Sequence, residues 1–344
     1  MAALGSQAPI LIWGAGAIGG TLGAYFLRAG LDVLFVDRAE DHVESINDWG
    51  LEIEEPMAEF TVKAKAVTPE QLEGTFRTVF LCVKAHHTLA ATRDLEPHLA
   101  ADGCVVSAQN GLNELEIVGV IGADRTVGCF VNFGADYLEP GRIHYAGRGA
   151  VVIGELDGAM SARLDGLHRL LLNFDAAAIQ TPNIWGFLWG KLAYGAQLFA
   201  TALTDASIAD ALEDAQHWHL FIEIGREVMR VAAARGVQPE GFNGFNPHAF
   251  SADAPAELTR RSLEEMVAFN RRSAKTHSGI WRDLAIRKRQ TEVDAQLGPI
   301  VSLGAEVSVP TPLTAGIISM VHEIEAGQRQ LDWANLAELE RVLT

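Results

Sequence analysis

The feature that most constrains this chain is a glycine motif inside the apolar stretch ILIWGAGAIGGTLGAYFLRAG, residues 10–30. Gly14, Gly16 and Gly19 have the spacing G-x-G-x-x-G, and no residue from Ile10 to Leu27 carries a charge. An uncharged run of this length meets the minimum for a membrane-spanning helix. Its five glycines argue against a membrane span, because each glycine weakens a helix interior.

The residues around the motif favour a nucleotide-binding unit. ILIW before the glycines favours a β-strand, the following residues have a helical pattern ending at Gly30, and DVLFVD, 32–37, is typical of a buried strand. A strand, a glycine turn, a helix and a strand within about 30 residues form the context in which this motif binds dinucleotides. The glycines let a pyrophosphate approach backbone N–H groups at the start of the helix. The residues expected to contact such a cofactor are Gly14, Gly16, Ala17, Ile18 and Gly19.

Size and charge limit the class of protein. A chain of 344 residues favours two domains, and 49% apolar with 21% charged residues is typical of a soluble globular protein. The net charge of −17, from 44 acidic and 27 basic residues, disfavours nucleic acids and anionic membranes as partners. The basic groups RRSAK and RKR are interpreted as solvated helix faces, and a small anionic substrate needs only a local cation.

The cysteines and the first residues give an expectation about location. Cys82, Cys104 and Cys129 are odd in number, lack metal-ligand spacing and lie in apolar runs, where free cysteine behaves as a small hydrophobe. We therefore expect neither a disulfide framework nor a metal site, which fits the cytoplasm. The first residues, MAALGSQAP, lack the cationic segment of a secretory signal, so no such signal is expected.

Residues 1–182 are predicted to form an α/β domain of the Rossmann type. TVFLCVKA, 78–85, and CVVSAQNG, 104–111, are predicted as further buried strands. The stretch 125–154 contains short strand-like runs with PG and GRG turns, and is predicted to be an antiparallel meander that extends the parallel sheet. A helix over 160–174 and a short strand in AAIQTP complete this domain.

Residues 183–344 are predicted to form an all-α domain, because a period of 3.6 residues dominates after Pro182. The loop GFNGFNPHAFSADAP interrupts the helical pattern. Helices are predicted near 184–203, 215–235, 255–274, 280–290, 292–305, 312–327 and 332–343.

Asp37 bears on the choice of cofactor. It ends the second strand, eighteen positions after Gly19, where a carboxylate can accept hydrogen bonds from ribose hydroxyls and repel a 2′-phosphate. NAD(H) is therefore favoured. Arg38 leaves NADP(H) possible, because an arginine here can hold a 2′-phosphate, and Asp37 can alternatively be a simple turn residue.

Polar residues follow the third and fourth strands, and ligands bind at the carboxyl ends of strands in open α/β sheets. Lys84 and Asn110 are candidates to contact the nicotinamide half of the cofactor or the substrate. His86 and His87 fit better as the exposed start of a helix.

In the predicted helical domain, NIWGFLWGKLAYGAQLFATALTD is apolar all round except at Lys191. A helix of this kind is buried, and a buried lysine is rare unless paired or functional. Lys191 can hold a substrate carboxylate or donate a proton; alternatively it extends its amine to solvent. Ser278, Asp283 and Glu292 are polar groups near helix ends, and Thr291 is predicted to cap a helix, with Asp294 three residues later.

At these residues the sequence resembles the ketopantoate reductase (2-dehydropantoate 2-reductase) family. The resemblance follows an ordered set of motifs: GAGAIG, VKAHHT, QNGLN, PGRIHYAGRG, WGKLAYGA, RDLAIRKRQTEVD and VPTP. It implies a Rossmann domain joined to a helical domain of the 6-phosphogluconate-dehydrogenase-like kind. It also implies reduction of a 2-oxo acid with a nicotinamide cofactor, and we expect a homodimer.

The resemblance implies roles for individual residues. Lys191 matches the family's catalytic lysine, which polarises the ketone and donates the proton, and Glu292 matches an acidic residue that organises substrate and cofactor. Asn110 matches an asparagine that contacts both, Lys84 a lysine beside the cofactor, and Asp283 an aspartate of its helix.

Departures from the family pattern indicate a different substrate. Asparagines usually lie one and two turns after the catalytic lysine, but here these positions are Gly195 and Phe199. A family serine is replaced by Gly279, next to Ser278. Because polar groups discriminate substrate hydroxyls, we expect a 2-oxo or 2-hydroxy acid that is bulkier or more apolar than ketopantoate. The alternatives are a non-catalytic dinucleotide-binding sensor and a dehydrogenase of another alcohol or amino acid. The expected substrate-binding residues are Asn110, Lys191, Gly195, Phe199, Ser278 and Asp283.

Overall fold

The computed structural model describes residues 9–242, 244–272 and 276–343, and the chain divides into two compact units between Ile184 and Trp185. The segment 1–8, in which no secretory signal is expected, lies outside the described residues, as does the end of the predicted helix 255–274. Within the described residues, no helix combines the length and apolar character needed to cross a lipid bilayer.

The first unit is built on an eight-stranded sheet. The strands of this sheet are β1 (Ile10–Trp13), β2 (Val33–Val36), β5 (Lys65–Val67), β6 (Phe76–Leu81), β7 (Leu99–Ser107), β8 (Thr126–Val131), β11 (Val151–Glu155) and β12 (Ile179–Gln180). Six parallel strands lie in the order β5-β2-β1-β6-β7-β8, then β11 pairs antiparallel to β8, and β12 forms the edge.

The order of the six parallel strands is typical of dinucleotide-binding folds. Counted along the chain, the third, second and first strands lie on one side, and the fourth, fifth and sixth on the other. The direction of winding therefore reverses beside β1, which is where ligands bind in such sheets. The prediction of a Rossmann-type α/β fold is confirmed by this sheet and its flanking helices. These helices are α1 (Ala17–Arg28), α2 (Glu40–Trp49), α3 (Thr88–Leu95), α4 (Glu114–Ile121) and α5 (Ala162–Leu171).

The predicted meander over 125–154 is wrong in part. β8 and β11 extend the large sheet, but β9 (Gly134–Glu139) and β10 (Arg142–Gly147) form a second sheet with β3 (Leu51–Glu54) and β4 (Phe60–Val62). In this sheet β10 pairs parallel to β3 and antiparallel to β9.

Helix α1 explains why a second sheet exists. A Cβ atom added at Gly20 would overlap Ile143 of β10, whereas one added at Gly23 would overlap Phe35 of β2. The helix therefore packs against both sheets, and its small residues allow this close approach. An apolar helix without a polar face requires burial on both sides, and the second sheet supplies the second cover.

The second unit is helical, as predicted. Its elements are α6 (Ile184–Thr201), α7 (Ile208–Glu213), α8 (Trp218–Ala234), α9 (Ala256–Arg272), α10 (Gly279–Trp281), α11 (Val293–Glu306), α12 (Pro312–Glu325) and α13 (Ala334–Glu340). The short helix α7, which is capped by Ser207, was not predicted. The predicted helix 280–290 is instead one α-helical turn, α10, that continues as a π-helical turn over Arg282–Arg287.

Candidate functional site

The ends of the central strands align in one row across the sheet. Val36 pairs with Trp13, Trp13 with Leu81, and Leu81 with Ser107. The residues after this row are those that the sequence singled out: the glycine turn, Asp37, and the segments that contain Lys84 and Asn110. Strand pairing therefore brings these predicted cofactor-binding segments to the same edge of the sheet.

The three motif glycines differ in their structural surroundings. Gly14 has φ +98°, and a Cβ atom there would lie 2.9 Å from the Cys82 carbonyl carbon. At Gly19 a Cβ atom would overlap the Gly14 carbonyl oxygen, so Gly19 permits close packing of α1. Gly16 differs, because a Cβ atom there meets no atom of the described residues within 4 Å. The turn is therefore closed towards the protein and open at Gly16, as a diphosphate-binding turn requires.

Asp37, the residue directly after β2, holds the glycine turn. Its carboxylate accepts the Ala15 N–H at 2.8 Å through Oδ2 and the Ala39 N–H at 3.0 Å through Oδ1. Asp37 therefore does act as a turn residue, which was the alternative interpretation. It does not exclude ribose recognition, because a carboxylate can accept about four hydrogen bonds.

Arg38 forms an ion pair that the sequence did not reveal. Its Nη2 lies 2.7 Å from Oδ2 of Asp94 on α3, with both side chains exposed. Asp94 is 56 positions away along the chain, so no local pattern indicates this pairing.

A hydrogen-bond network joins the segments that follow β6 and β7. Gln109 donates to the Val83 carbonyl at 2.9 Å and to the Thr88 hydroxyl at 2.8 Å, and the Asn113 amide donates to the Asn110 carbonyl at 2.7 Å. These bonds fix the backbone that carries Lys84 and Asn110. His86 and His87 are exposed in a 3-10 turn before α3, as the sequence interpretation favoured.

In the helical unit, α6 has one less-buried face. Lys191, Gly195 and Leu198 are partly exposed, while their neighbours on the helix are buried. A Cβ atom at Gly195 meets no atom of the described residues within 4 Å, so space is open one turn from the lysine. Lys191 is therefore not fully buried, contrary to the expectation from an all-apolar helix.

The structure corrects the predicted wall at Phe199, which is 0% exposed and belongs to the core. The spacing from Lys191 is eight residues, which places Phe199 about 80° around the helix at 3.6 residues per turn. Leu198 lies only about 20° from Lys191 on the same measure, so the face passes through Leu198 instead. Tyr194 and Gln197, two other polar residues of this part of α6, are buried and hydrogen-bonded within the helical unit. The Tyr194 hydroxyl accepts from Asn270 at 2.9 Å and burial raises its pKa to about 12, while Gln197 donates to the Phe221 carbonyl at 2.8 Å.

A backbone crossing fixes α6 just before Lys191. The Glu240 N–H donates to the Gly186 carbonyl at 2.9 Å, and a Cβ atom at Gly190 would overlap the Glu240 carbonyl oxygen. Gly190 therefore allows the 237–241 segment to cross the helix closely.

The remaining candidates lie around α10 and α11. Ser278 caps α10 by accepting the Trp281 N–H at 3.1 Å. Asp283 is buried and accepts from both Arg287 and Arg289 at 2.9 Å. The three residues of the RKR group are exposed, as the sequence interpretation expected, and two of them also pair with this carboxylate.

The predicted cap of α11 is displaced by one position. Glu292 is the residue that precedes the helix, and its side chain does not cap it. Thr291 accepts the Val293 N–H at 3.2 Å, while its own N–H and hydroxyl donate to Glu325 at 2.7 and 2.8 Å.

Family models match both units. Residues 10–158 match the model described as ketopantoate reductase PanE/ApbA, and residues 183–325 match its C-terminal counterpart. The chain belongs to the ketopantoate reductase family.

Members of the family match along nearly the whole chain. The 2-dehydropantoate 2-reductase of Archaeoglobus fulgidus is 28% identical over 320 residues, 92% of this chain and 98% of that protein. The enzyme of Pyrococcus abyssi is 26% identical over 321 residues, with the same shares of coverage.

Solved structures share the fold. One is described as D-mandelate dehydrogenase with NADH and anilino(oxo)acetate. It matches with a TM-score of 0.81 and 22% identity, over 93% of this chain and 99% of that chain. A PanE/ApbA family ketopantoate reductase from Ralstonia eutropha matches with a TM-score of 0.77 and 24% identity over the same shares.

Proposed function

We propose that this member of the ketopantoate reductase family transfers hydride between NAD(H) and a 2-oxo or 2-hydroxy acid other than ketopantoate. Family membership makes the chain a nicotinamide-dependent oxidoreductase that acts on CH–OH and keto groups. The preference for NAD(H) and the substrate's larger or more apolar side chain are the parts that we propose. Residues 1–182 are proposed to bind the cofactor, and residues 183–344 the substrate.

The glycine turn fits a dinucleotide, because it is tight at Gly14 and open at Gly16. We assign the first turn of α1, with Ala17 and Ile18, to the diphosphate, and Lys84 to a position beside the cofactor. A bound nicotinamide supplies or accepts the hydride.

Proton transfer and charge stabilisation are assigned to the chain's own side chains. Lys191 donates a proton to the substrate's C2 oxygen during reduction and removes it during oxidation. Asn110 donates a hydrogen bond to the same oxygen, whose negative charge grows in the transition state. Glu292 is assigned to orienting the substrate, and Ser278 and Asp283 to binding it. The Ser278 hydroxyl also accepts the Trp281 N–H, and the Asp283 carboxylate accepts from Arg287 and Arg289.

The observation that carries the NAD(H) preference is the charge arrangement after β2. The Asp37 carboxylate would repel a 2′-phosphate, and Arg38, which could attract one, is paired with Asp94 at 2.7 Å. A 2′-phosphate would therefore meet the negative charge of Asp37 and an arginine whose positive charge Asp94 already partly neutralises.

Two variants test this preference by the ratio of kcat/KM for NADPH to that for NADH. Asp37→Ser removes the repulsion and is expected to raise the ratio roughly tenfold or more, a change of about 1.4 kcal/mol. Asp94→Asn leaves Asp37 in place but frees Arg38, so we expect a smaller increase of about two- to fivefold, as for an exposed ion pair. An unchanged ratio in both variants would refute the assignment.

The substrate proposal rests on the open space at Gly195 and the absence of the family's two amides on α6. NADH oxidation at 340 nm with a panel of 2-oxo acids tests it. We expect higher kcat/KM for acids with aromatic or branched apolar side chains than for ketopantoate. Turnover of ketopantoate alone would contradict the substrate proposal, and turnover of no acid would favour the sensor alternative.

We further propose that the protein is a cytoplasmic homodimer. A family member from Staphylococcus aureus, 17% identical with a TM-score of 0.71, is described as dimeric. The three cysteines are free, as the cytoplasm would keep them. Light scattering after gel filtration should give twice the 37.1 kDa of one chain, and a monomer would refute the dimer.

A further inference from the structure

His42 is a buried residue of α2 to which the sequence assigned no role. It is 1% exposed, and its two ring nitrogens contact two distant parts of the first unit. Nε2 lies 2.9 Å from the carbonyl oxygen of Ala15 in the glycine turn, and Nδ1 lies 2.9 Å from the backbone nitrogen of Gly141, between β9 and β10.

These two contacts determine which ring nitrogen carries the proton. The Gly141 N–H can only donate, so Nδ1 must accept and carries no hydrogen. The Ala15 carbonyl can only accept, so Nε2 must carry the hydrogen and donate it. His42 is therefore the neutral Nε2–H tautomer, and the doubly protonated ring would lose the bond from Gly141.

The bond to Ala15 orients the peptide group that follows it. A trans peptide is planar, so its C=O and N–H point in opposite directions, and fixing the Ala15 carbonyl also fixes the Gly16 N–H. The preceding peptide is fixed in the same way, because the Ala15 N–H donates to Asp37 at 2.8 Å. Both peptide planes of the turn are thus held by side chains, one from the end of β2 and one from α2.

The second contact connects this turn to the small sheet. Gly141 has φ +78°, its carbonyl accepts the Glu52 N–H of β3 at 2.8 Å, and the Ser45 hydroxyl of α2 donates to the Pro140 carbonyl at 3.0 Å. The β9–β10 turn is thus fixed on the side of His42 that faces away from Ala15. A ring held at both ends resists rotation more than a side chain with one partner.

We propose that His42 is a positioning residue for the dinucleotide-binding turn. As the neutral Nε2–H tautomer it orients the Ala15–Gly16 peptide for the cofactor's diphosphate, while its Nδ1 anchors the turn between β9 and β10. The inference rests on nicotinamide cofactor use, and it assigns His42 no contact with cofactor or substrate.

Two substitutions separate the two bonds, because each keeps one nitrogen position. In His42→Gln the amide nitrogen is as many bonds from Cβ as Nε2 of histidine, so it can donate to Ala15 but cannot accept from Gly141. In His42→Asn the amide oxygen is as many bonds from Cβ as Nδ1, so it can accept from Gly141 but cannot reach Ala15. His42→Ala removes both bonds.

Calorimetric titration with NADH and thermal melting give the readouts. We expect the Kd of His42→Gln for NADH to lie within about threefold of the wild-type value. For His42→Asn and His42→Ala we expect a Kd at least about tenfold higher, which is the effect of losing one hydrogen bond. With NADH saturating, kcat should stay within a few-fold in all variants. Native affinity in His42→Asn, or affinities that merely follow the melting temperatures of the three variants, would overturn the proposal.

A measurement on the wild-type chain keeps the proposal testable if a variant does not fold. Nitrogen NMR of histidine-labelled protein should show His42 protonated at Nε2 and unprotonated at Nδ1. The opposite tautomer would overturn the proposal, whether or not the protein binds cofactor. By contrast, wild-type protein that binds neither NADH nor NADPH would overturn the proposed function, with the tautomer result standing on its own.

Discussion

At the residue scale, the proposed chemistry depends on the less-buried face of α6. Lys191 and Leu198 share this face, but only the lysine can transfer a proton. We expect Lys191→Ala to lower kcat roughly 10²- to 10⁴-fold, the usual loss for a missing general acid. Leu198→Ala, the control on the same face, should keep kcat within a few-fold. Steady-state NADH oxidation measures both, and near-normal turnover of Lys191→Ala would contradict the role of the lysine.

Gly195 is expected to control which acid is accepted. Because a Cβ atom fits there without contact, Gly195→Asn can restore one family amide without disturbing the core. We expect its kcat/KM to shift towards ketopantoate by about tenfold relative to apolar 2-oxo acids, as one substrate hydrogen bond allows. Gly195→Ala fills the same space without the amide and serves as the control. Equal changes of this kcat/KM ratio in the two variants would show that side-chain volume at this position, and not hydrogen bonding, determines which acid is preferred.

The sequence predicted the residues whose positions follow from strand ends. Asp37, Lys84 and Asn110 come directly after buried apolar runs, and parallel strands place their carboxyl ends together. The prediction that Phe199 shares a face with Lys191 was wrong, because residues eight positions apart are rotated about 80° around a helix. Spacing alone also does not reveal which face of a helix is buried. His42 and Asp94 were missed because their partners are distant in the chain, at Gly141 and Arg38.

At the element scale, the sequence predicted the type of most elements better than their partners. Apolar runs identified β1, β2, β6 and β7 of the parallel sheet, whereas β5 was not predicted. Periodicity also carries no information on which strands pair. β10 pairs with β3, some 90 positions away. The sequence placed β10 in the antiparallel meander, and no strand was predicted at β3. The apolar surface all around α1 was the available sign that a second cover was needed.

Helix α12 is anchored by a buried carboxylate that the sequence did not reveal. Glu227 of α8 accepts the Leu313 N–H at 3.0 Å, the Thr314 N–H at 2.7 Å and the Thr314 hydroxyl at 2.6 Å. Glu227→Gln replaces one acceptor by a donor that faces an N–H, so we expect about 1–3 kcal/mol lower stability in chemical denaturation. Glu223→Gln, on the same helix but in a less-buried ion pair with Arg226, should cost about 1 kcal/mol or less.

The same carboxylate predicts a pH dependence. Burial raises the pKa of Glu227 despite the hydrogen bonds that oppose the shift. Between the usual carboxyl pKa and this raised value the folded state binds the proton more readily, so the contribution to stability falls as pH rises through that window. The stability difference between wild type and Glu227→Gln should therefore shrink with rising pH from acid to neutral. A difference that grows over this range would contradict the raised pKa.

At the scale of the whole molecule, the sequence predicted an α/β unit followed by a helical unit, and the structure has both. A parallel sheet covered on both faces gives near-continuous apolar strands, while partly covered helices give a period of 3.6, so the two are distinguishable in one sequence. The net charge of −17 disfavours polyanions as partners, while a local cation such as Lys191 is still proposed to meet a small acid.

The central claim is that the turn after β1 holds the diphosphate of a nicotinamide cofactor. Calorimetric titration of the wild type and Gly16→Val with NADH and NADPH tests it most directly. Gly16 has φ −67°, and a Cβ atom there meets open space, so the protein is expected to fold with valine at this position. The valine side chain would then fill the space assigned to the diphosphate. We predict that the wild type binds NADH more tightly than NADPH and that Gly16→Val melts at the native temperature but binds neither. Folded wild-type protein that takes up neither cofactor, or native NADH affinity in Gly16→Val, would contradict the claim.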